Sequence, residues 1–278
     1  AVAGGADKGN DNLAVDVIEG GVSSVLAGRK VIVYQSTAST NDVAWAYARG
    51  AGNDGLAVFA ESQTGGRGRW GRKWLGKGGQ SVLCSVFVAD FACAAELMVT
   101  VSAVAVCEAV ARCGVDARIK WPNDVMIGGK KAAGILVESR PGKEGRDYVI
   151  GIGINCHQGR EFFESAGLLM PGTSLDIETG EFTDRNRLAV EVLGSLDRWL
   201  AVARSDPARI VNRWRMLSTQ LGRWVTVEYN QQRFSGNCIG VDPAAGLILH
   251  LDNGGVRMFA ASQTTIVKHF GDRCESDK

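Results

Sequence analysis

The stretch "GGRGRWGRKW" at residues 65–74 sets three arginines and one lysine among four glycines and two tryptophans. Glycine lets backbone N–H groups approach a ligand closely, and arginine offers planar paired donors that suit a carboxylate or a phosphate. The stretch therefore predicts a loop that folds over an anion, and the faces of Trp70 and Trp74 suit a purine ring. A solvated basic loop or an RGG-like RNA-binding segment is the alternative that composition leaves open.

The loop does not match the two common nucleotide-binding patterns. It lacks the G-K-[ST] ending of a P-loop, and no helical pattern follows Gly71, as a dinucleotide-binding glycine motif requires. Nucleotide binding of the Walker or Rossmann type is therefore not expected.

A second group of chemical side chains lies in "KWPNDVMIGGKK". Lys120, Asn123 and Asp124 fall where Pro122 interrupts a predicted strand, and Lys131 lies across the following Gly-Gly hairpin. Two ammonium groups beside one carboxylate predict a site for a phosphate and its Mg²⁺, which prefers one or two carboxylates together with phosphate oxygens. An ordinary Asn-Asp turn before a lysine-bearing strand is the alternative.

A third group is neutral. Ser39, Thr40 and Asn41 precede a predicted helix, and Gln63 lies just before the arginine–glycine stretch. These side chains are the donors and acceptors that a uracil-like or ureido group needs. The alternative is that Ser39 or Thr40 only caps the helix.

Hydrophobic periodicity and turn residues predict the elements that position these groups. The predicted strands are 28–35, 56–62, 81–89, 117–127, 130–139 and 147–156, and the predicted helices are 39–50, 97–113, 184–204 and 206–217. Their order favours an α+β fold, in which a mixed, largely antiparallel sheet carries helices on one face. After Leu221, short strands separated by turns predict a small SH3-like β-barrel. The expected divisions are a flexible N-terminal segment (1–27), a catalytic domain (28–218), the barrel (219–270) and a tail (271–278).

Composition excludes several classes of protein. The 278 residues carry a net charge of +1, so nothing in the overall balance favours nucleic acid or a membrane surface. The seven cysteines are odd in number and form no C-x-x-C pair, which favours reduced thiols over disulfides or zinc. The longest apolar run, residues 97–107, is shorter than the roughly 20 residues that a bilayer span needs, and residues 1–12 show no signal-peptide pattern. A cytoplasmic location is expected.

Together the motifs resemble the biotin protein ligases, also called biotin–acetyl-CoA-carboxylase ligases. The resemblance covers roughly residues 30–270, and "GRGRWGR" with "KWPND" is its most specific part. The stretches that carry it are "STN" (39–41), "ESQTGGRGRWGRKW" (61–74), "KWPND" (120–124), "KKAAGILVE" (130–138), "GIGIN" (151–155) and "TSLDIETG" (173–180). The family fold is a catalytic domain like that of class II aminoacyl-tRNA synthetases, followed by an SH3-like domain.

The resemblance implies that MgATP and biotin react to form biotinyl-5′-AMP, and that biotin then passes to one lysine of a biotin carboxyl carrier protein. No enzyme nucleophile is needed, so no cysteine or histidine is assigned a catalytic role. The implied biotin-binding residues are Ser39, Thr40, Asn41, Gln63, Gly66, Arg67, Gly68, Arg69, Lys131, Gly134 and Gly153. The implied ATP- and adenylate-binding residues are Arg69, Arg72, Trp74, Lys120, Asn123, Lys131 and Asn155. Among these residues, the implied catalytic cations are Arg69, Arg72, Lys120 and Lys131. Asp124 is the implied ligand of Mg²⁺.

Regulatory members of that family carry a winged helix–turn–helix before the catalytic domain. Fewer than forty residues precede "STN" here, so operator DNA binding is not expected. Two competing functions stay open. One is a lipoate–protein ligase, which shares the fold and the acyl-adenylate chemistry, and the other is a non-catalytic RNA-binding or biotin-sensing module. Both a monomer and a homodimer are compatible with the sequence.

Overall fold

The structure is a computed structural model that describes residues 11–50, 52–168 and 170–269. The expectations for residues 1–10 and 271–278 lie outside this range, as does Cys274. No helix within the described ranges is both long and apolar enough to cross a bilayer.

A seven-stranded sheet forms the centre of the larger module. Its strands are β1 (Lys30–Thr37), β2 (Leu56–Gln63), β3 (Ser81–Phe91), β4 (Ala117–Lys120), β5 (Asp124–Ile127), β6 (Lys130–Pro141) and β7 (Arg146–Asn155). Their order is β1-β2-β3-β7-β6-β5-β4, with β1 and β2 parallel and the other neighbours antiparallel. The central strands are rich in valine and isoleucine because both of their faces are covered. The predicted mixed, largely antiparallel sheet is confirmed.

Helices cover both faces of this sheet. The described residues form α1 (Val15–Gly21), α2 (Thr40–Tyr47), α3 (Ala95–Ala111), α4 (Arg160–Ser165), α5 (Leu175–Thr179), α6 (Arg185–Ser205) and α7 (Pro207–Leu217). Ala57 and Phe59 of β2 belong to the main core with α3 and α6, whereas Leu56 and Val58 pack with Trp45 of α2. The expectation of helices on one face is therefore wrong, because alternate residues of a fully buried strand need partners on both sides.

The segment before β1 is ordered where the structure describes it, so the expectation of a flexible 1–27 is wrong for residues 11–27. Leu13 and Ile18 are buried, and α1 packs against α6. The carboxylate of Asp197 accepts three successive backbone N–H groups from this segment. The isolated sequence resembles a mobile lead-in because its few apolar residues pack only on distant elements.

A buried arginine also holds the start of this segment. Arg185 donates to Asp11 at 2.8 Å and to Glu61 at 2.7 Å, and its side chain is 1% exposed. His157 bridges Asp11 and Asp176 at 3.0 and 2.8 Å. Burial alone would raise the pKa of Asp11, but the hydrogen bonds from Arg185 and His157 outweigh it and lower that pKa. These contacts fix the chain beside β2, the strand that leads to the arginine–glycine loop.

The C-terminal module is a separate antiparallel sheet. It contains β8 (Trp224–Tyr229), β9 (Gln232–Asp242), β10 (Gly246–Leu251), β11 (Val256–Phe259) and β12 (Thr264–His269), in the order β11-β10-β9-β8-β12. The rings of Tyr229, Phe234 and Phe259 pack together, with centroids between 5.4 and 6.5 Å apart. This arrangement agrees with the predicted SH3-like unit, whose limits at 219 and 270 remain a prediction.

Candidate active site

Three glycines make an open floor where β6 and β7 lie side by side. Gly134 pairs with Gly153 across the two strands, and Gly151 lies beside Asn41. A Cβ atom at Gly153 would come within 2.5 Å of the Trp74 ring, and one at Gly134 would lie 3.1 Å from Lys131 Nζ. We call Gly134, Gly151 and Gly153 the glycine floor, because no other residue leaves room there for a flat group on the sheet.

The ring of Trp74 covers this floor. It lies against Gly134 and Gly153, and Lys131 Nζ is 5.6 Å from the ring centroid. The indole Nε1 is buried without a hydrogen-bond partner. The resemblance assigned Trp74 to adenine and the two glycines to biotin, and the structure brings all three into direct contact. A ligand that lies on the floor must therefore displace this ring.

A polar wall borders the floor on one side. The backbone N–H and Oγ1 of Thr40 both donate to Gln63 Oε1, at 2.8 and 3.1 Å. The single hydroxyl proton of Ser85 is shared between Thr40 Oγ1 and Asn41 Oδ1, at 2.7 and 2.6 Å. Asn41 Nδ2 is buried without a hydrogen-bond partner. Ser39 occupies the N-cap position of α2, but its side chain makes no capping bond. The wall therefore offers Asn41 Nδ2 as an unused donor, and Ser39 does not act as a side-chain cap of the helix.

Ser85 is a member of this wall that the sequence alone did not reveal. It points to the wall because β3 runs beside β2 and alternate residues share one face, yet one serine in an apolar strand carries no signal of its own.

A charged pair borders the floor on the other side. Lys131 Nζ lies 2.6 Å from Asp124 Oδ1, and both side chains are mostly buried. Asp124 is opposite Lys120 in the β4–β5 ladder and opposite Gly134 in the β5–β6 ladder. Asn123 donates to the Ile135 carbonyl at 2.7 Å, which fixes the connection between β4 and β5. The predicted strand break therefore brings the two lysines and the carboxylate to the edge of the floor.

The donor set around Asp124 constrains how a metal ion would bind. No group of three metal-ligating side chains occurs in the described ranges. One carboxylate paired with an ammonium does not hold a resident ion, but it fits Mg²⁺ that arrives on a nucleotide, because such an ion takes most of its ligands from phosphates and water.

The arginine–glycine loop, residues 65–74, folds as a short hairpin over the floor. Trp74 N–H donates to Gly66 O at 2.9 Å and Gly68 N–H donates to Arg72 O at 2.6 Å. Arg72 N–H closes the tip by donating to Arg69 O at 3.2 Å. The loop therefore has its own internal hydrogen bonds rather than being an irregular, solvated segment.

Arg67 attaches this hairpin to the main domain. Its guanidinium makes two 2.7 Å bonds to Asp42 of α2 and one 3.2 Å bond to Glu138 of β6. The hydrogen bond from Arg67 lowers the pKa of Asp42, and the hydrogen bond to Asp42 raises the pKa of Arg67. Arg67 was expected at biotin, and here its guanidinium is paired with Asp42 and Glu138.

Arg69 reaches the C-terminal module. It donates to the carbonyls of Ala261 and Thr264, the latter at 2.9 Å, and lies 3.4 Å from Asn123 Oδ1. Glu96 of α3 accepts the Ala261 N–H on both carboxylate oxygens, at 3.0 and 2.9 Å. Glu96 thus fixes the turn that holds Arg69, a role that the sequence alone did not reveal.

Burial affects the charge of both groups at this junction. Burial lowers the pKa of Arg69, while Asp124 and Glu96 favour its charged form. Burial raises the pKa of Glu96, against the opposing effect of the N–H groups of Ala261 and Ser262. An arginine stays protonated under these conditions, so Arg69 carries a positive charge beside Asp124.

The remaining predicted residues lie around the same centre. Arg72 is exposed on the hairpin. Asn155 ends β7 and donates to the Thr173 carbonyl at 2.9 Å, so the "TSLDIETG" stretch packs directly behind it. Lys120 is the last residue of β4 and interacts with other residues of the protein.

Burial disfavours the thiolate form of every described cysteine. The six described cysteines are free thiols, and burial raises the pKa of each. The pKa of Cys107 reaches about 12 and that of Cys238 about 11, so both stay protonated at neutral pH.

The class of protein follows from this combination of a glycine floor, a polar wall and a cationic edge on a mixed sheet. The family model described as "Biotin/lipoate A/B protein ligase family" matches residues 33–155, the range that carries all of these parts except the residues of the C-terminal module. A solved biotin protein ligase from Aquifex aeolicus, in complex with biotin and ATP, has the same fold. Its TM-score is 0.73 at 23% identity, over 86% of this chain and 99% of that one.

Relatives of known name define the family more closely. The biotin–[acetyl-CoA-carboxylase] ligase of Mycobacterium tuberculosis is 31% identical over 88% of each chain. The bifunctional ligase/repressor BirA of Bacillus spizizenii is 29% identical over 90% of this chain and 78% of its own length. The chain therefore belongs to the biotin protein ligase family.

Proposed function

We propose that this protein activates biotin with MgATP to biotinyl-5′-AMP and transfers the biotinyl group to a lysine of a biotin carboxyl carrier protein. The observation that carries the proposal is the glycine floor, which lies between a wall with an unused amide donor and the Lys131–Asp124 pair. A neutral ureido ring at the wall and a carboxylate at the cation match this division of charge.

In the first step, a carboxylate oxygen of biotin forms a bond to the α-phosphorus of ATP, and the bond from that phosphorus to the bridging oxygen of pyrophosphate breaks. Both reactants are anions, so the barrier consists largely of their repulsion and alignment. In this proposal Lys131 contacts both anions, Lys120 and Arg72 hold the phosphates, and Arg69 retains the adenylate. Mg²⁺ bound to the nucleotide would neutralise phosphate charge, with Asp124 as its protein ligand.

The covering tryptophan makes loop movement part of the first step. Trp74 must leave the glycine floor before biotin can lie there, and the displaced indole is then available to the adenine, together with Asn155. The loop must therefore open before the substrates enter, and its glycine-rich backbone lets it close again over them once they are bound. Amide exchange across 65–74 should slow when biotin and MgATP are added.

In the second step, the lysine amine of the carrier attacks the carbonyl carbon of biotinyl-5′-AMP. A nitrogen–carbon bond forms, the carbon–oxygen bond to phosphate breaks, AMP leaves, and the amine loses a proton. Asp124 would orient the incoming amine. None of these events requires a covalent bond to the enzyme, in keeping with the protonated cysteines.

The direct test is the mass of a biotin carboxyl carrier domain after incubation with this protein, MgATP and biotin. A gain of one biotinyl group supports the proposal, and its absence contradicts it. Lipoate in place of biotin separates the competing lipoate ligase, which would transfer a lipoyl group to its acceptor instead. Release of no AMP and no pyrophosphate would favour a non-catalytic binding module.

The proposal places the protein in the cytoplasm, where carboxylases and ATP are found, with the carrier protein as its partner. It includes no DNA ligand, and gel retardation of a biotin-operon promoter fragment by the purified chain would contradict that part. Analytical ultracentrifugation distinguishes the monomer from the homodimer.

A further inference from the structure

The two tryptophans of the arginine–glycine loop face opposite ways. Trp74 covers the glycine floor, whereas Trp70 is 55% exposed at the tip of the hairpin. Its indole has one described ring contact, the Arg69 guanidinium 5.5 Å from the ring centroid. Trp70 therefore contributes little to the packing of its own chain, and neither of the two proposed reaction steps uses it.

The backbone at Trp70 is in a conformation that large side chains avoid. Trp70 has φ 60° and ψ 32°, Gly71 has φ 71°, and the Arg72 N–H closes the turn on Arg69 O. This is a type I′ turn, whose first central position favours asparagine, aspartate or glycine. A bulky residue with positive φ is a sterically unfavourable choice, and such residues concentrate at binding and catalytic sites.

The charge around this tip has one sign. Residues 65–79 contain five basic residues and no acidic one. Arg67 and Arg69 are turned inward by the ion pair with Asp42 and by the bonds to the C-terminal carbonyls. Apart from Arg72, the long side chains that remain exposed are Trp70 at the tip and Lys73, Leu75 and Lys77 after it in the chain. We call these four residues the hairpin tip surface.

We propose that the hairpin tip surface docks an acidic face of the biotin-accepting protein domain, with Trp70 as the apolar anchor. This inference rests on the proposed function, because it takes the acceptor of the second step as the partner. An exposed tryptophan in a stretch whose charged residues are all basic is the composition of a protein-binding hot spot with a basic rim. The same hairpin covers the glycine floor, so a domain seated on its outer side brings a lysine to the adenylate on its inner side.

The decisive variant is W70N. Asparagine at the first central position followed by Gly71 is the sequence that a type I′ turn prefers, so the hairpin is kept while the indole is removed. With preformed biotinyl-5′-AMP, the KM for the carrier domain should rise about tenfold with kcat unchanged, the loss typical of one truncated anchor. The double variant K73Q/K77Q should raise the same KM by a few-fold and weaken its dependence on salt.

Two readouts separate a docking defect from damage to the reaction site. Pyrophosphate release with biotin and MgATP should match the wild type in W70N, and so should transfer of biotin to hydroxylamine, a small amine with no docking surface. The control V256N removes an equally exposed apolar side chain, 58% exposed on the C-terminal module, and should leave the carrier KM unchanged.

An unchanged carrier KM in W70N would overturn the inference, and so would an equal loss of pyrophosphate release, which would assign Trp70 to the nucleotide. If the wild type itself released no pyrophosphate, the proposed function would fail instead, so the two failures are distinguishable.

Discussion

The two halves of the candidate site are built on backbones of opposite kind. Asp124, Lys131 and the glycine floor lie on strands β5, β6 and β7, whose neighbours fix them through the ladder hydrogen bonds. The arginine–glycine loop is held by its own hairpin bonds, by the Arg67 ion pairs and by the junction at Arg69. The first half needs the whole sheet to distort before it can move, whereas the second needs only a few polar contacts to break.

This difference indicates that the strands and the loop have different roles in the reaction. Groups that must align two reacting anions are most effective on a rigid frame, because misplacement of a cation costs rate directly. Groups that admit substrates and retain an intermediate must change position, so glycine-rich backbone suits them. Variants on the strands should therefore damage the chemistry itself, and variants on the loop should damage retention or docking.

The largest effect is expected for K131M. Loss of the ammonium should lower the rate of biotinyl-AMP formation by about 100- to 1,000-fold, since a fixed cation at developing charge contributes on that scale. The neighbouring K130M is the matched control, because Lys130 pairs with Glu178 at 2.8 Å, away from the floor. Pyrophosphate release measures both variants, and similar rates for the two would show that Lys131 does not act on the reacting anions.

The second variant on a strand is G153A, in β7. Its new methyl group would enter the space over the floor, where Trp74 already lies within contact distance. The Kd for biotin should rise by about tenfold or more, as for a side chain forced into a filled site, and the thermal unfolding temperature should fall because the Trp74 ring must shift. In G194A the new methyl group meets no atom within 4 Å, so this control should bind biotin normally. Isothermal titration calorimetry with biotin decides, and normal affinity in G153A would place biotin elsewhere.

On the loop, R69A should leave the fold intact but release the intermediate. Its hydrogen bonds to the carbonyls of Ala261 and Thr264 connect the hairpin to the C-terminal module. Without these bonds the hairpin is free to move away from the glycine floor. Biotinyl-AMP should dissociate about tenfold faster, the change expected for one or two charge-assisted hydrogen bonds, and proteins in a mixture should be labelled less selectively. E96Q should have a smaller effect in the same direction, and retention at the wild-type rate in R69A would contradict the assignment.

The smallest effect concerns the Arg67–Asp42 ion pair, which attaches the loop to α2. The hydrogen bond from Arg67 lowers the pKa of Asp42 below its ordinary value of 3.8, so the ion pair stabilises the folded state above that pH and is lost as the pH falls through the lowered pKa. Both side chains are more than one-third exposed, so solvent screening limits the contribution to about 0.5 kcal/mol. Urea unfolding of D42N and wild type should differ slightly at pH 7 and converge as the pH falls through the lowered pKa of Asp42, and a constant difference would exclude this origin.

Local patterns predicted much of this molecule. The alternation and turn residues around β2, β3 and the β5–β6 hairpin identified the sheet, and the Asp206-Pro207 pair located the start of α7, where Asp206 caps the helix. The residues of the unusual motifs also lie near one another in the structure, because most of them occupy ends of neighbouring strands or the loop that follows β2. Their roles at the site remain a prediction.

Contacts between distant parts of the chain were not predictable. Asp11 meets Arg185 and Arg69 meets Thr264 across separations of 174 and 195 residues, and neither short segment carries a signal of its partner. The position of Trp74 depends on two glycines in different strands and is decided only when the sheet is assembled. Propensity and motif therefore identified the parts, while tertiary packing decided which of them touch.

A crystal structure of the protein with biotinyl-5′-AMP would show directly whether the glycine floor is the biotin site. We expect the ureido group at Thr40, Asn41 and Gln63, the acyl-phosphate at Lys131, and the Trp74 ring displaced from Gly153. The ligand bound away from the glycine floor, or Trp74 still lying on Gly153 beneath it, would contradict this assignment.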